Sequence, residues 1–296
     1  MPGPRRQYGS AVHLETFNGS SWASIQDRLT RTEAMVVFAQ ETRLQDRAAR
    51  AAASQRVHTD GWKMAGGLGL STLKGSTSSG VAVLVRRHIE VGPIHTLAGS
   101  PEPFTIVPGR AEAVWINSWV KGGFIAVSVY LKDGVGMDDD NWAVLLRVGE
   151  ALALCGQPFI IGGDFNMHPQ VITDAGWTRR LRARAVYTTE GTCRGATGSY
   201  TKLDYFVVEE GLAKAIQAVA RDPQEPARPH RPVVLTATAR PRAIQEQVMK
   251  APAKFPAQWP IGCAPAPPNW NFEYEAGGLT GQERQDAHYK FLLDGI

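Results

Sequence analysis

Two kinds of apolar pattern alternate along the chain. Short runs that are apolar at nearly every position predict strands buried on both faces: residues 34–39, 81–85, 124–130 and 159–161. Residues 11–17, 111–120, 203–208 and 232–237 add further strands, and Lys121-Gly122-Gly123 reads as a hairpin between 111–120 and 124–130. Between them lie stretches of helical period. Trp22, Ile25 and Leu29 recur at helical spacing behind Ser20 and Ser21, which are suited to capping a helix. Residues 46–55 are alanine-rich and predict a second helix. Asp138-Asp139-Asp140 opens a third, placing acids at the positive end of its dipole, with Trp142, Leu145, Leu146 and Leu152 as the apolar face and Gly156 as the C-cap.

Strands and helices interleave while a hairpin is present, so the sheets should be mixed rather than purely parallel. Residues 1–10 are polar and rich in Pro and Gly, and are expected to be disordered. After Arg240 the composition changes: seven prolines fall between Pro241 and Pro268 without apolar periodicity. Residues 11–240 are therefore expected to form one domain and 241–296 a Pro-rich tail or linker.

Composition narrows the class. With 43% hydrophobic residues in 296, the chain can bury a large core. A formal charge of +4 is compatible with a polyanionic partner without requiring one. Cys155, Cys193 and Cys263 are odd in number and widely spaced, with no Cys-x-x-Cys or Cys/His cluster in the sequence to suggest zinc. Reduced thiols, no apolar leader and no run long enough to span a bilayer predict a soluble intracellular protein, nuclear or cytoplasmic.

The stretch richest in chemistry is residues 158–169. Phe159-Ile160-Ile161 form a buried strand, Gly162-Gly163 break it, and Asp164 and Asn166 follow two residues apart. On an extended chain the two polar side chains share one direction and address one volume. An Asp-x-Asn turn bonding its own backbone is an equally good account of the same residues. Around this stretch stand Asn18, Gln40-Glu41, Tyr130, Lys202-Leu203-Asp204-Tyr205 and Pro229-His230-Arg231-Pro232-Val233.

That combination, in that order over roughly residues 11–238, resembles the endonuclease/exonuclease/phosphatase superfamily. Abasic-site endonucleases and endonucleases of non-LTR retrotransposons are among its members. The resemblance implies an α/β four-layer sandwich: two packed mixed β-sheets flanked by helices. It implies Glu41 as the ligand of Mg²⁺ (or Mn²⁺), a hard carboxylate for a hard cation. It further implies Asp164 as the group that orients or deprotonates water, and Asn166 as a holder of phosphate or water. His230 would stabilise the phosphate with Asp204 fixing its ring, Tyr130 would contact the phosphate, and Asn18 would bond Asp164. A core tyrosine and an Asn-Gly turn are the plainer readings of Tyr130 and Asn18.

Two positions depart from the family pattern. Pro229 stands where an Asp usually precedes the His, and Ser20 where Asp or Asn is often found, which leaves Glu41 as the evident carboxylate anchor. The expected activity is a Mg²⁺-dependent nuclease of retroelement type, acting on DNA more than RNA and once part of a longer polyprotein. The alternatives are a catalytically impaired relic that binds nucleic acid or protein, and a phosphatase of small phosphoesters. The arginines at 179, 180, 182 and 184 suit a phosphate backbone, and equally a solvated helix face.

Overall fold

A strand that is apolar at every position needs a partner on each of its faces, and the structure supplies both. The computed structural model describes residues 11–71, 77–225, 229–238 and 283. The chain falls into two units, Met1–Ala243 and Ile244–Ile296. Residues 1–10 and, apart from Glu283, the tail expected over 241–296 lie outside the described residues.

In chain order the first strands are β1 (Ala11–Asn18), β2 (Val36–Gln40), β3 (Trp62–Gly66), β4 (Leu70–Ser71), β5 (Thr77–Ser78) and β6 (Val81–Arg86). Next come β7 (Glu90–Gly92), β8 (Thr105–Val107), β9 (Ala111–Asn117), β10 (Phe124–Tyr130), β11 (Phe159–Asp164) and β12 (Ala183–Val186). The last are β13 (Cys193–Arg194), β14 (Tyr200–Thr201), β15 (Asp204–Glu209), β16 (Ile216–Arg221) and β17 (Val233–Thr238). The helices are α1 (Trp22–Arg31), α2 (Arg47–Thr59), α3 (Asp139–Cys155), α4 (Pro169–Asp174), α5 (Trp177–Arg180) and α6 (Glu210–Ala213).

One sheet has the order β16-β17-β1-β2-β6-β3 and the other β12-β15-β11-β10-β9-β7, with β8 on β9. Both are mixed: β1 runs parallel to β2, and β10 parallel to β11, among antiparallel neighbours. Alternate residues divide between layers. Val36 and Phe38 of β2 and Ile160 of β11 meet between the sheets, with Val114, Phe206 and Leu235. Val37 and Ala39 face outward onto Ile25 and Leu29 of α1 and Val57 of α2. Ile161 faces outward onto the layer of Leu145, Val148 and Trp177. This is the four-layer α/β sandwich.

The three expected helices form, α2 running past the expected end at Gln55 to Thr59. Ser21 caps α1 by accepting from the Ser24 amide, Asp46 caps α2, and Asp138 caps α3. Gly156 closes α3 in the left-handed conformation at φ 61°. Three expectations need correction. The strand expected over 111–120 stops at Asn117, because Trp119 adopts φ 64° and turns the chain. Leu146 is exposed rather than part of the apolar face of α3, which rests on Leu145, Val148 and Leu152. The four arginines share no helix: Arg179 and Arg180 end α5, Arg182 lies in the turn after it and Arg184 is in β12.

Candidate active site

The parallel pairings bring strand ends of the same polarity together. Asn18 ends β1 opposite Gln40, the last residue of β2, so Glu41 emerges beside it. Tyr130 ends β10 opposite Asp164, and Asp164 in turn faces Asp204 at the start of β15. The sheets approach closely here because Gly162 has no side chain: a Cβ at that position would lie 2.6 Å from the Phe38 ring. A Cβ on Gly163 would lie 2.4 Å from the Val129 carbonyl oxygen. The Gly-Gly pair is thus a packing requirement of this edge.

Asn18 bridges the two sheets, its Nδ2 donating to Asp164 Oδ2 at 2.8 Å and to Glu41 Oε1 at 3.0 Å. The Tyr130 hydroxyl donates to Glu41 Oε1 at 3.2 Å. On the other flank His230 Nδ1 lies 2.9 Å from Asp204 Oδ2, and its Nε2 lies 3.7 Å from Asp164 Oδ2. The seven residues singled out in the sequence therefore meet at one edge. Asp164, Asp204 and His230 each place a ligand atom within 4.8 Å of the others, close enough to share a metal ion.

Asn166 is where the expected geometry fails. It does not continue the extended chain of β11. It sits at φ 52°, its amide donating to Asp164 Oδ1 at 3.1 Å and its Nδ2 to the Leu131 carbonyl at 2.8 Å. The Asp-x-Asn turn is formed, and that turn is what fixes the Asp164 carboxylate. Ser20, Glu41 and Arg43 also take positive φ. Non-glycine residues in this region carry local strain, which here accumulates around one cleft.

Burial sets the charges. Desolvation pushes Asp164 up to about 7 and nearby Asp204 adds to it, while His230 and the Asn18 bond work the other way. Burial opposes the charge on His230, yet Asp204 and Asp164 outweigh it and raise the imidazole to about 12. At neutral pH the ring is an imidazolium lying between Asp164 and Asp204. Glu41 is held below its ordinary value: bonds from Asn18, Arg43 and Tyr130 together exceed the cost of its burial. Burial also raises the Tyr130 phenol, with Glu41 and Asp164 beside it, so it remains a neutral donor.

Several supporting residues, Gln40 excepted, carried no signal in the sequence. Arg43 Nε donates to Glu41 Oε2 at 3.0 Å, giving the metal-ligand candidate a built-in cation. Gln40 Nε2 reaches Ser128 Oγ of the facing sheet at 3.0 Å, pinning the strand end before Glu41. Thr192 Oγ1 accepts from the Asp204 amide at 3.0 Å. Arg28 ties α1 to Glu15, Asp222 and Glu225, fastening the segment that leads to His230. Apart from Arg43 and Glu41, two residues apart, these contacts join residues at least 12 positions apart, and of the supporting residues Gln40 was part of a recognisable motif.

Residues 17–238 match the endonuclease/exonuclease/phosphatase family. Among curated proteins none matches the sequence. Among solved structures, the AP endonuclease LMAP from Leishmania major superposes with a TM-score of 0.58 at 15% identity, over 80% of this chain and 92% of that one. The endonuclease domain of TRAS1, a telomere-specific non-LTR retrotransposon, gives 0.56 at 14% identity, over 77% and 99%. The 3' phosphatase NExo from Neisseria, bound to a product DNA hairpin, gives 0.52 at 18% identity, over 76% and 98%. Such identities speak for the fold, and the match over 17–238 for the lineage: the chain belongs to the endonuclease/exonuclease/phosphatase family, whose members are usually hydrolytic nucleases or phosphatases.

Proposed function

We propose that the chain is a Mg²⁺-dependent phosphodiesterase that nicks nucleic acid, DNA in preference to RNA, in the manner of a retroelement endonuclease. The observation that carries this reading is the meeting of Glu41, Asp164, Asp204 and His230 in one cleft, with Asn18 bridging Glu41 and Asp164. Asp164, raised to about 7, can accept a proton from water near neutral pH, while His230, raised to about 12, stays charged.

Asn18 and the Asn166 amide aim the Asp164 carboxylate, so that water resting on it is oriented and then deprotonated. The His230 imidazolium, held by Asp204, offers its Nε2 proton to the charge that develops on the phosphate. Tyr130 and Asn18 orient Glu41. Glu41 itself offers a carboxylate oxygen, the donor type a hard cation takes. Glu41 would hold Mg²⁺ through Oε2 once Arg43, whose side chain is half exposed, turns aside. When bound there, the cation neutralises charge on the phosphate and the leaving oxygen. Arg194 and Pro229 line a cleft of about 350 Å³ next to His230, suited to a phosphate backbone. The DNA hairpin held by the Neisseria 3' phosphatase supports a nucleic-acid substrate.

A silent nucleic-acid-binding relic is the second reading. It is favoured by Arg43 already neutralising Glu41 and by Pro229 and Ser20 offering no carboxylate. Nicking of supercoiled plasmid separates them. The first reading expects Mg²⁺-dependent nicks that EDTA and Asp164→Ala abolish; no nicks with any divalent metal selects the second. Release of free phosphate from small phosphoesters, without nicking, would instead indicate a phosphatase.

A further inference from the structure

Among the described residues the exposed aromatic side chains are Tyr187, at 41%, and Tyr200, at 40%. A ring left in water gains nothing from burial, so its neighbours are what make it informative. Tyr187 directly follows β12, whose Val186 pairs with Phe206 of β15. It therefore stands at the end of the sheet where β15 begins with Asp204, on the flank away from Tyr130. Lys202 Nζ lies over its ring, 5.2 Å from the centroid. The His168 ring meets it edge-on, with the centroids 6.4 Å apart.

Both neighbours come from the segments that carry the carboxylates of the site: His168 is four residues past Asp164, and Lys202 two before Asp204. Two residues of chain span at most about 7 Å, the length of about two stacked nucleotides. The two exposed rings differ in how their cations are held. Arg221, over Tyr200 at 5.1 Å, pairs with Glu190 and donates to the Gly191 carbonyl. Lys202 has no ion-pair partner among the described residues. An unpaired cation over an exposed ring suits a nucleotide, because the ring can stack a base while the cation meets its phosphate.

We propose that Tyr187, with Lys202 and His168, stacks an unpaired nucleobase beside the phosphate bound at His230, so that the preferred substrate is a strand unpaired next to the cut. A base arriving on the ring displaces Lys202 Nζ, which passes to the phosphate of that nucleotide. The Gln170 amide donates to His168 Nδ1 at 3.2 Å, so the neutral imidazole carries its proton on Nε2 as a further donor. In a closed duplex the base is stacked and paired, and has to leave the helix to reach the ring. A single strand or a mismatch offers it more readily. The position of the cut rests on the phosphodiesterase reading, whereas binding needs only stacking and charge.

The test follows binding of fluorescein-labelled oligodeoxynucleotides to the full-length chain by anisotropy, at fixed salt and in EDTA, where no metal-dependent cut intervenes. One probe is a single strand and the other the same strand in a closed duplex. Tyr187→Ala should weaken single-strand binding roughly 5- to 150-fold and leave duplex binding unchanged. Tyr187→Phe, which keeps the ring, should bind as the wild type does. Lys202→Met should reduce the salt slope of single-strand binding by about 0.7, the share of one phosphate, and an unchanged slope overturns the role given to Lys202. A wild type that does not bind the single strand overturns the proposal. So does a Tyr187→Ala variant that binds it as tightly as the wild type, or that loses single strand and duplex alike. Should Tyr187→Ala not fold, Tyr187→Leu removes the π-face while filling the space, with the same expected loss and the same refutation. Nicking is not measured, so a chain that never nicks can still pass. A chain that nicks plasmid, but whose Tyr187→Ala variant binds single strands like the wild type, refutes the platform and leaves the phosphodiesterase reading intact.

Discussion

Replacing Asp204 with Asn removes one negative charge and keeps the side chain's shape, at a point where the structure allows the effect to be sized. His230 is 7% exposed and lies 2.9 Å from Asp204 Oδ2. Its rise from 6.5 to about 12, achieved against burial, corresponds to about 7 kcal/mol in favour of the imidazolium. Asp204 is nearer than Asp164 and supplies the larger share of the attraction. In the wild type, loss of the His230 proton lies beyond any practical assay, and the pH–rate profile should show an acidic limb only. In Asp204→Asn an alkaline limb should enter the measurable range, its midpoint shifted down from about 12 and nicking falling about tenfold per pH unit above it. The acidic limb should also move down, because Asp204 no longer opposes the charge on Asp164. Stability follows the same proton. A folded value raised above 6.5 contributes stability fully below that pH and loses it as pH climbs towards about 12. Denaturant titrations of Asp204→Asn should therefore show the greatest loss in acid, shrinking towards alkali. Asp204→Asn nicking at the wild-type rate with no alkaline limb would refute a charged His230 as the phosphate partner.

In the wild type the acidic limb should have its midpoint near 7, reporting Asp164 as the base, and Asp164→Asn should abolish it; a midpoint near 4 would assign the base elsewhere. Arg43→Ala should lower the Mg²⁺ concentration for half-maximal nicking several-fold, since the guanidinium and the cation compete for Glu41 Oε2. Pro229→Asp should act in the same direction by adding an anionic oxygen beside His230, and a full Mg²⁺ titration separates affinity from maximal rate; the Pro229 carbonyl that receives the Arg194 amide is kept. Glu112 is raised to about 8 by burial, with the Thr105 hydroxyl bond opposing, so the folded state retains a proton that the unfolded state releases. Stability should fall as pH rises between about 4.5 and 8. Glu112→Gln should flatten that slope and raise the melting temperature at pH 8.

The fold was readable wherever one physical requirement dominated a stretch of sequence. Val36 to Ala39 and Phe159 to Ile161 are apolar without interruption because each strand lies between two layers, and the run states as much. Ser or Asp at the start announced α1 and α3, because such a residue before a helix has a local task, and alanine content announced α2. The strand β3 escaped notice: Trp62-Lys63-Met64-Ala65-Gly66 owes its place to pairing with β6, and its own pattern is mixed. The short β12, β13 and β16 likewise depend on partners distant in sequence. The same division runs through the site. Asp164, Glu41 and His230 stand beside recognisable motifs. Arg43 and Thr192 act through neighbours 2 and 12 positions away, and spacing alone does not say which such pairs meet. Asn166 shows how two readings of one motif resolve. Turn and catalytic geometry were set against each other as alternatives, yet the turn's amide bond to Asp164 Oδ1 is itself what aims the carboxylate. A residue that satisfies its own backbone can thereby orient its neighbour, so local hydrogen bonding at a strand end is no argument against chemistry there.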